Sequence, residues 1–468
     1  MACIFCMPQR LLRLCGLAAV LVLGSTSGHA ALPIVHWVQP SGTSVYLVSS
    51  MAIPMVDVQI DFDGGSRRDP VRQVGLANAM AASMALGLRA APAGVGRGAA
   101  PAMDENALSD AWADLGASFG GGATADRLSF SLRSLTYPDV LDPAVALAAR
   151  ALAEPAFPAA LWARDRAKQL AALKESRTRP AVRAAQAFAR AVYGTHPYGY
   201  EVTEGTLNAI QVADLQAHHR RYVRACDARV SIVGALDRAQ AQVLVDQLLA
   251  RLPAGDCPAL SPVAEVAPLR APQEIRIPFA AAQAQVLVGQ PGIPRATPDY
   301  FALLVGNHIL GGGGFTARLT TEVREKRGLS YSVSSGFSPG LHAGAFTIGL
   351  QTRPDQADAA LAVVRTVLQD FLAQGPSEAE LQAAKAFLIG GFPLRLDSNR
   401  KLLDNVANIA WNQLPLDYLD TWTTQIERLT VDDIRQAMSR VLQPDRMVTV
   451  VLAPAADAEA ANTGAPLR

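Results

Sequence analysis

The sequence predicts an α+β protein built from two similar halves, and three observations predict it. Runs that read as strands open each half and grouped helical tracts follow them, the order of an α+β sandwich rather than of an alternating parallel sheet. One pattern occurs twice: Ile210-Gln211-Val212-Ala213-Asp214-Leu215 and Leu429-Thr430-Val431-Asp432-Asp433-Ile434 each lead through a helix to an apolar strand, 230–233 and 447–452. A proline-rich tract, 253–272, lies between the two copies and reads as a linker.

The elements repeat in order. The first half opens with strands over 44–48 and 56–62, continues with a helix from Gly75, then a strand pair over 117–121 and 128–135, then a long helical tract. The second half opens with strands over 275–279 and 285–288, and its strand pair falls at 331–336 and 345–351. Ahead of both, Arg10 and Arg13 precede an apolar run from Leu14 to Leu23, and Gly28-His29-Ala30 offers a small-residue cleavage site. That run is roughly half the ~20 residues a membrane-spanning helix needs, so residues 1–30 read as an export signal. Cys15 lacks the small-residue context of a lipid-anchor site, and no stable membrane anchor is expected. The expected organisation is a signal over 1–30, a first domain over 31–262, a linker over 263–272, a second domain over 273–454, and a disordered tail over 455–468.

Composition narrows the function. Half the chain is apolar, enough for substantial cores, and the formal net charge of +1 argues against a nucleic-acid or strongly acidic partner. Of five cysteines, only Cys226 and Cys257 lie outside the expected signal. An oxidising compartment makes a disulfide between them feasible, and two free thiols remain the alternative.

The most informative stretch runs from Gly311-Gly312-Gly313-Gly314 through Phe315-Thr316-Ala317-Arg318-Leu319 to Arg324-Glu325-Lys326-Arg327-Gly328-Leu329-Ser330-Tyr331. The four glycines read as a freely moving loop that closes over a ligand. Phe315, Leu319 and Val323 recur every four residues and predict a core-facing helical stripe, with Arg324 at its margin and Gly328 ending the helix. No Gly-x-Ser-x-Gly elbow or phosphate-binding loop is present, and the glycines of Gly94-Val95-Gly96 and Gly120-Gly121-Gly122 read as loop residues near strand ends. His36, His196, His218, His219, His308 and His342 contain no His-x-x-x-His pair and read as surface or capping residues, with His218 and His219 on different helix faces.

The stretch Gly75-Leu76-Ala77-Asn78-Ala79-Met80-Ala81-Ala82 resembles the M16 metallopeptidase family (pitrilysin, insulysin, mitochondrial processing peptidase), whose catalytic members carry Gly-Leu-Ala-His-x-x-Glu-His there. Asn78, Ala81 and Ala82 stand where the family has its first His, its catalytic Glu and its second His, and Ala172 falls at the later Glu ligand. Two histidines at i and i+4 can grip zinc and a glutamate can take a proton from metal-bound water; an amide and methyl groups can do neither. No metal is therefore expected on this chain. The resemblance persists in Arg324 and Tyr331, which fit an Arg/Tyr pair that M16 proteins present from their second half toward the zinc-bearing half.

The resemblance implies two homologous sandwich halves arranged as a clamshell. It also implies a zinc-free subunit of a periplasmic heterodimeric M16 peptidase, whose zinc-bearing partner hydrolyses peptides. Arg324 and Tyr331 would then act in trans, with Gly311, Gly312, Gly313 and Gly314 as the substrate loop and the peptide as an added strand on a sheet edge. The alternative is a non-catalytic peptide-binding or scaffolding protein of the same fold.

Overall fold

Apolar and β-branched residues run through the strands that the sequence marks, and the helices follow in the expected groups. The computed structural model describes residues 33–92, 99–253 and 257–455. The expected export signal, Gly94-Val95-Gly96 and the tail from residue 456 lie outside the described residues. The first half contains β1 (Val35–Val38), β2 (Ser44–Ser49), β3 (Met55–Phe62), α1 (Leu76–Ser83), β4 (Gly87–Leu88), β5 (Met103–Asp104), α2 (Glu105–Asp114), β6 (Ser118–Ala123) and β7 (Leu128–Leu135). It continues through α3 (Pro138–Ala153), α4 (Ala159–Ser176), α5 (Pro180–Tyr193), α6 (Glu204–Ala209), α7 (Val212–Tyr222), β8 (Arg229–Gly234) and α8 (Arg238–Leu249). The second half contains β9 (Gln273–Pro278), β10 (Ala284–Pro291), α9 (Tyr300–Asn307), β11 (Ser332–Phe337), β12 (Ala345–Thr352) and α10 (Ala357–Gln374). It ends with α11 (Glu378–Gly391), α12 (Asn399–Asn412), α13 (Tyr418–Glu427), α14 (Val431–Val441) and β13 (Val448–Ala453).

The duplication is visible in the ladders. The first sheet runs β1-β2-β8-β3-β7-β6 and the second β11-β12-β10-β13-β9. In each half one strand pair is parallel, β2 with β8 and β9 with β13, and the pairs beyond it are antiparallel. β1 is the addition that breaks the match, and it pairs with β2 at the outer edge. The repeated hexamers start equivalent helices through the same device: Asp214 Oδ2 accepts from Gln211 N at 2.8 Å, and Asp433 Oδ2 accepts from Thr430 N at 2.9 Å.

The halves are interlocked by exchange of equivalent helices. α5 lies on the second sheet, where Phe188, Val192, Ala184 and Ala187 pack with Val448, Val450 and Leu452. Gly289 on β10 makes room, since a Cβ there would lie 2.9 Å from the Phe188 ring and 2.0 Å from Phe346 O. α12 returns the arrangement by lying on β8 and β3 of the first sheet. Beside apolar packing with Val48 and Val233, that contact carries a polar cluster: Trp411 sits beneath the Arg229 and Arg127 guanidiniums, 4.7 and 5.6 Å from its ring, and Arg127 pairs at 3.0 Å with buried Asp61. Burial pushes the Asp61 carboxyl up, and Arg127 opposes the shift.

Between the halves, residues 257–270 form no helix or strand. Cys226 and Cys257 are joined as a disulfide, Cα to Cα 6.2 Å, which fixes the start of this tract beside β8. Farther along, Ala343 N donates to Glu265 Oε1 at 2.8 Å and ties the tract to the second half. Among the described residues no helix is long and apolar enough to cross a membrane.

Candidate functional site

β11 is an edge strand of the second sheet, and the stretch that leads into it carries Arg324 and Tyr331. Leu319 and Val323 are fully buried, as the spacing predicts. Phe315 is not part of that stripe: it is 67% exposed, on a separate short turn, Gly314–Thr316, ahead of the helix. The helix also widens to i→i+5 bonding over Thr320–Glu325, which shifts the phase of its faces. Gly328, at φ +60°, then reverses the chain in a left-handed conformation suited to glycine.

The reversal places the Arg324 guanidinium 4.7 Å from the Phe315 ring and 5.0 Å from the Tyr331 ring, while Tyr331 is 82% exposed. The neighbouring cations are already used. Lys326 and Arg327 both reach Glu322 at 2.6 Å, and Arg318 binds Glu380 through two 2.7 Å bonds that hold its carboxyl down to about 2. Among the described residues Arg324 has no carboxylate partner. A cation held only by aromatic faces keeps its N–H donors for a guest.

The four glycines are not the freely moving loop the sequence suggests. Gly311 and Gly312 belong to a widened helical turn, His308–Gly312, that prolongs α9. A Cβ on Gly311 would come 2.7 Å from Ser335 N, one on Gly312 2.7 Å from Asn307 Nδ2, and one on Gly313 2.6 Å from His308 O. Close packing therefore requires these three glycines, and only Gly314, at φ +65° with open space around it, needs glycine for its conformation. Asn307 fastens the turn to β11 by donating to Ser335 O at 3.2 Å and accepting from Ser335 Oγ at 2.7 Å.

The corresponding region of the first half holds the expected degenerate motif. Asp69 starts α1, its carboxylate accepting from Gly75 N at 2.8 Å and Ala77 N at 2.9 Å, and burial raises its pKa to about 6. Asn78 and Ala82 share the exposed side of α1, while Ala81 faces inward and is 4% exposed. Ala172 is exposed on α4. One amide and three methyl groups do not fit zinc, whatever their spacing. Among the described residues, the only close group of metal-ligating types is Cys226, Asp227 and Cys257, in which both thiols are consumed by the disulfide.

The histidines correct one expectation. His218 and His219 are buried rather than on the surface, though they do face different ways: His218 Nε2 meets Gly64 O at 3.0 Å and His219 Nε2 meets Leu152 O at 2.7 Å. Burial lowers both, His218 to about 4. His196 caps the turn after α5, its Nδ1 accepting from Tyr198 N at 3.1 Å. Gly120, Gly121 and Gly122 also differ from expectation, since they lie inside β6, the edge strand of the first sheet opposite β1.

Comparison with known proteins agrees with this architecture. Residues 209–388 match the family description "Peptidase M16 inactive domain". A crystal structure of a peptidase M16 inactive domain from Pseudomonas fluorescens is 35% identical, with TM-score 0.83 over 90% of this chain and 98% of that one. An uncharacterized zinc protease of Streptomyces coelicolor is 29% identical over 283 residues, and the match spans 59% of this chain and 61% of the relative's length. A non-peptidase homolog from Helicobacter pylori is 35% identical over 126 residues, 26% of this chain and 28% of that protein. The fold is also that of the periplasmic protease PqqL of Escherichia coli, at TM-score 0.75 and 20% identity over 91% of this chain and 46% of that one. With two matched sandwich halves and no ligand at any of the four motif positions, the chain belongs to the M16 peptidase family, as a member of its inactive-domain type.

Proposed function

We propose that this chain is the zinc-free subunit of a periplasmic, heterodimeric M16 peptidase. In that assembly it presents Arg324 and Tyr331 to a zinc-bearing partner that hydrolyses peptides. The observation that carries the reading is the Arg324–Tyr331 cradle: an unpaired guanidinium and an exposed phenol at the mouth of an edge strand. A peptide added to β11 would run past both groups. Tyr331 would donate a hydrogen bond to the carbonyl oxygen that gains charge as the bond is attacked, and Arg324 would bind substrate carbonyls before and during that step. Zinc would belong to the partner. The export expectation for residues 1–30 supplies the compartment, and the Cys226–Cys257 disulfide suits an oxidising one.

Co-expression with an exported M16 chain that carries an intact His-x-x-Glu-His motif tests the reading. A stable complex burying well over about 1,600 Å² is expected, as for obligate pairs. Separate elution at micromolar concentration would instead favour a peptide-binding or scaffolding protein of the same fold.

A further inference from the structure

The strand-pair turns of the two halves meet at a polar cluster far from Tyr331 along β11. Asp126 lies in the turn between β6 and β7, and its Oδ2 accepts from Leu341 N at 2.9 Å in the turn between β11 and β12. Tyr198, on the short turn that follows α5, completes the join: its hydroxyl donates to Asp126 Oδ1 at 2.5 Å and accepts from His342 N at 3.2 Å. Gly340 permits the close approach, since a Cβ there would lie 2.5 Å from the Tyr198 hydroxyl oxygen and 2.8 Å from Asp126 Oδ2. The tract between the halves enters the same cluster through Glu265, which accepts from Ala343 N at 2.8 Å and lies 3.3 Å from His342 Nδ1.

His196 is the member of this cluster whose protonation the geometry opposes. It is 6% exposed, and its Nδ1 accepts from Tyr198 N at 3.1 Å, which places the proton of the neutral ring on Nε2. A second proton would go to Nδ1 and turn that acceptor into a donor facing the Tyr198 N–H. The cap that sets the Tyr198 hydroxyl on Asp126 would then break. Facing the ring are His342 from the second half, its centroid 5.1 Å away, Glu265 from the connecting tract, Asp126 from the first half, and Tyr193 and Tyr198 on the flanking segment. Arg67 stands behind Asp126, its Nε 3.3 Å from Oδ1. Burial and His342 hold the His196 imidazole below its ordinary value, while the Ala264 carbonyl, Glu265 and Asp126 oppose the shift. Burial and Asp126 push the Tyr198 phenol up, so the clasping hydroxyl keeps its proton.

We propose that this cluster is an acid-released latch between the two halves: neutral His196 keeps the two strand-pair turns clasped, and a proton taken from solvent onto Nδ1 unclasps them. Because the clasped state favours the neutral ring, the clasp is complete above the ordinary histidine value of 6.5 and is lost as pH falls through the lower value of the folded chain. The halves stay joined through α5 and α12, so release is a local separation of turns and not unfolding. The latch lies wholly within this chain and does not depend on the assignment of Arg324 and Tyr331 to a partner's chemistry.

Hydrogen exchange of the full chain, corrected for the intrinsic rate at each pH, tests the latch at the Leu341, His342 and Ala343 amides. Their protection should fall at least about fivefold between about pH 7.5 and about pH 5, while that of the core strand β3 is unchanged. His196→Asn keeps a side-chain oxygen to cap the turn and cannot titrate, so its protection at these amides should be the same at both pH values. Tyr198→Phe removes the clasping hydroxyl and should leave the His342 amide poorly protected at both, which keeps the proposal testable if the first variant is unstable. Equal protection at the two pH values in the parent, or the parent's pH dependence persisting in His196→Asn, would overturn the proposal. So would a Tyr198→Phe chain as well protected as the parent at the higher pH. None of these results bears on turnover by a reconstituted pair, so failure here and failure of the partner reading are separately visible.

Discussion

The guanidinium of Arg324 lies 5.0 Å from the centre of the Tyr331 ring, with Phe315 4.7 Å away as its second aromatic contact. Exposed cation–π contacts of this kind are worth about 0.5–1 kcal/mol each, enough to orient the side chain and too little to occupy it. Arg324→Ala in a reconstituted pair should therefore raise KM and lower kcat together, because it removes binding present before the transition state. Steady-state kinetics at saturating partner check this, and Arg324→Lys should recover only part of the loss since a point charge cannot reproduce the planar fork.

The motif positions carry a metal prediction. Asn78, Ala81, Ala82 and Ala172 offer no imidazole or carboxylate, so the purified mature chain should hold no stoichiometric zinc and cleave no peptide alone. Elemental analysis after dialysis is the check, and one tightly held equivalent would contradict it.

Exchange of α5 and α12 ties the stability of the halves together. Phe188→Ala on α5 removes a 6%-exposed ring from the second sheet and should cost about 3–5 kcal/mol. Because that ring belongs to one half and its pocket to the other, urea unfolding followed by a probe in each half should remain a single shared transition at lower urea. Two separated transitions in the parent protein would show that the interlock is weaker than the packing implies.

Asp69 gives a pH signature. Its folded pKa, raised to about 6, exceeds the ordinary carboxylate value, so the fold favours the protonated form. The associated stability is present below pH ~4 and is lost as pH rises through about 6, an effect of at most roughly 3 kcal/mol. His218, lowered to about 4, acts in the opposite sense by favouring the fold as pH rises from its ordinary value's acid side. The difference between the parent and Asp69→Asn isolates the first effect: the parent's relative stability should fall between pH 4 and 6.5 in chemical denaturation.

Much of the fold is legible in the sequence because the strands alternate or run apolar and the capping hexamer repeats. β1 is missed because only Trp37 of Val35-His36-Trp37-Val38 is buried, which leaves no alternation to read. The exchange of α5 and α12 is invisible for a different reason: an amphipathic pattern says that a helix buries one face and is silent on which half supplies the cover. At the site, the sequence singles out Arg324 and Tyr331, but its spacing places Phe315 in a core stripe, since a 3.6-residue period does not foresee a widened turn. The glycines misled similarly. A run of glycine marks either freedom or crowding, and only the neighbours Ser335, Asn307 and His308 show that crowding holds for three of them.

Turnover by the reconstituted pair carrying Tyr331→Phe tests the central claim most directly, since the change removes one hydroxyl and little volume from a side chain 82% exposed in this chain. The account predicts that kcat falls by about 10²-fold, the scale of losing one donor to a developing oxyanion, while the complex still assembles and its Tm is unchanged. Unaltered kcat in a well-assembled complex would contradict it and leave the chain a scaffold.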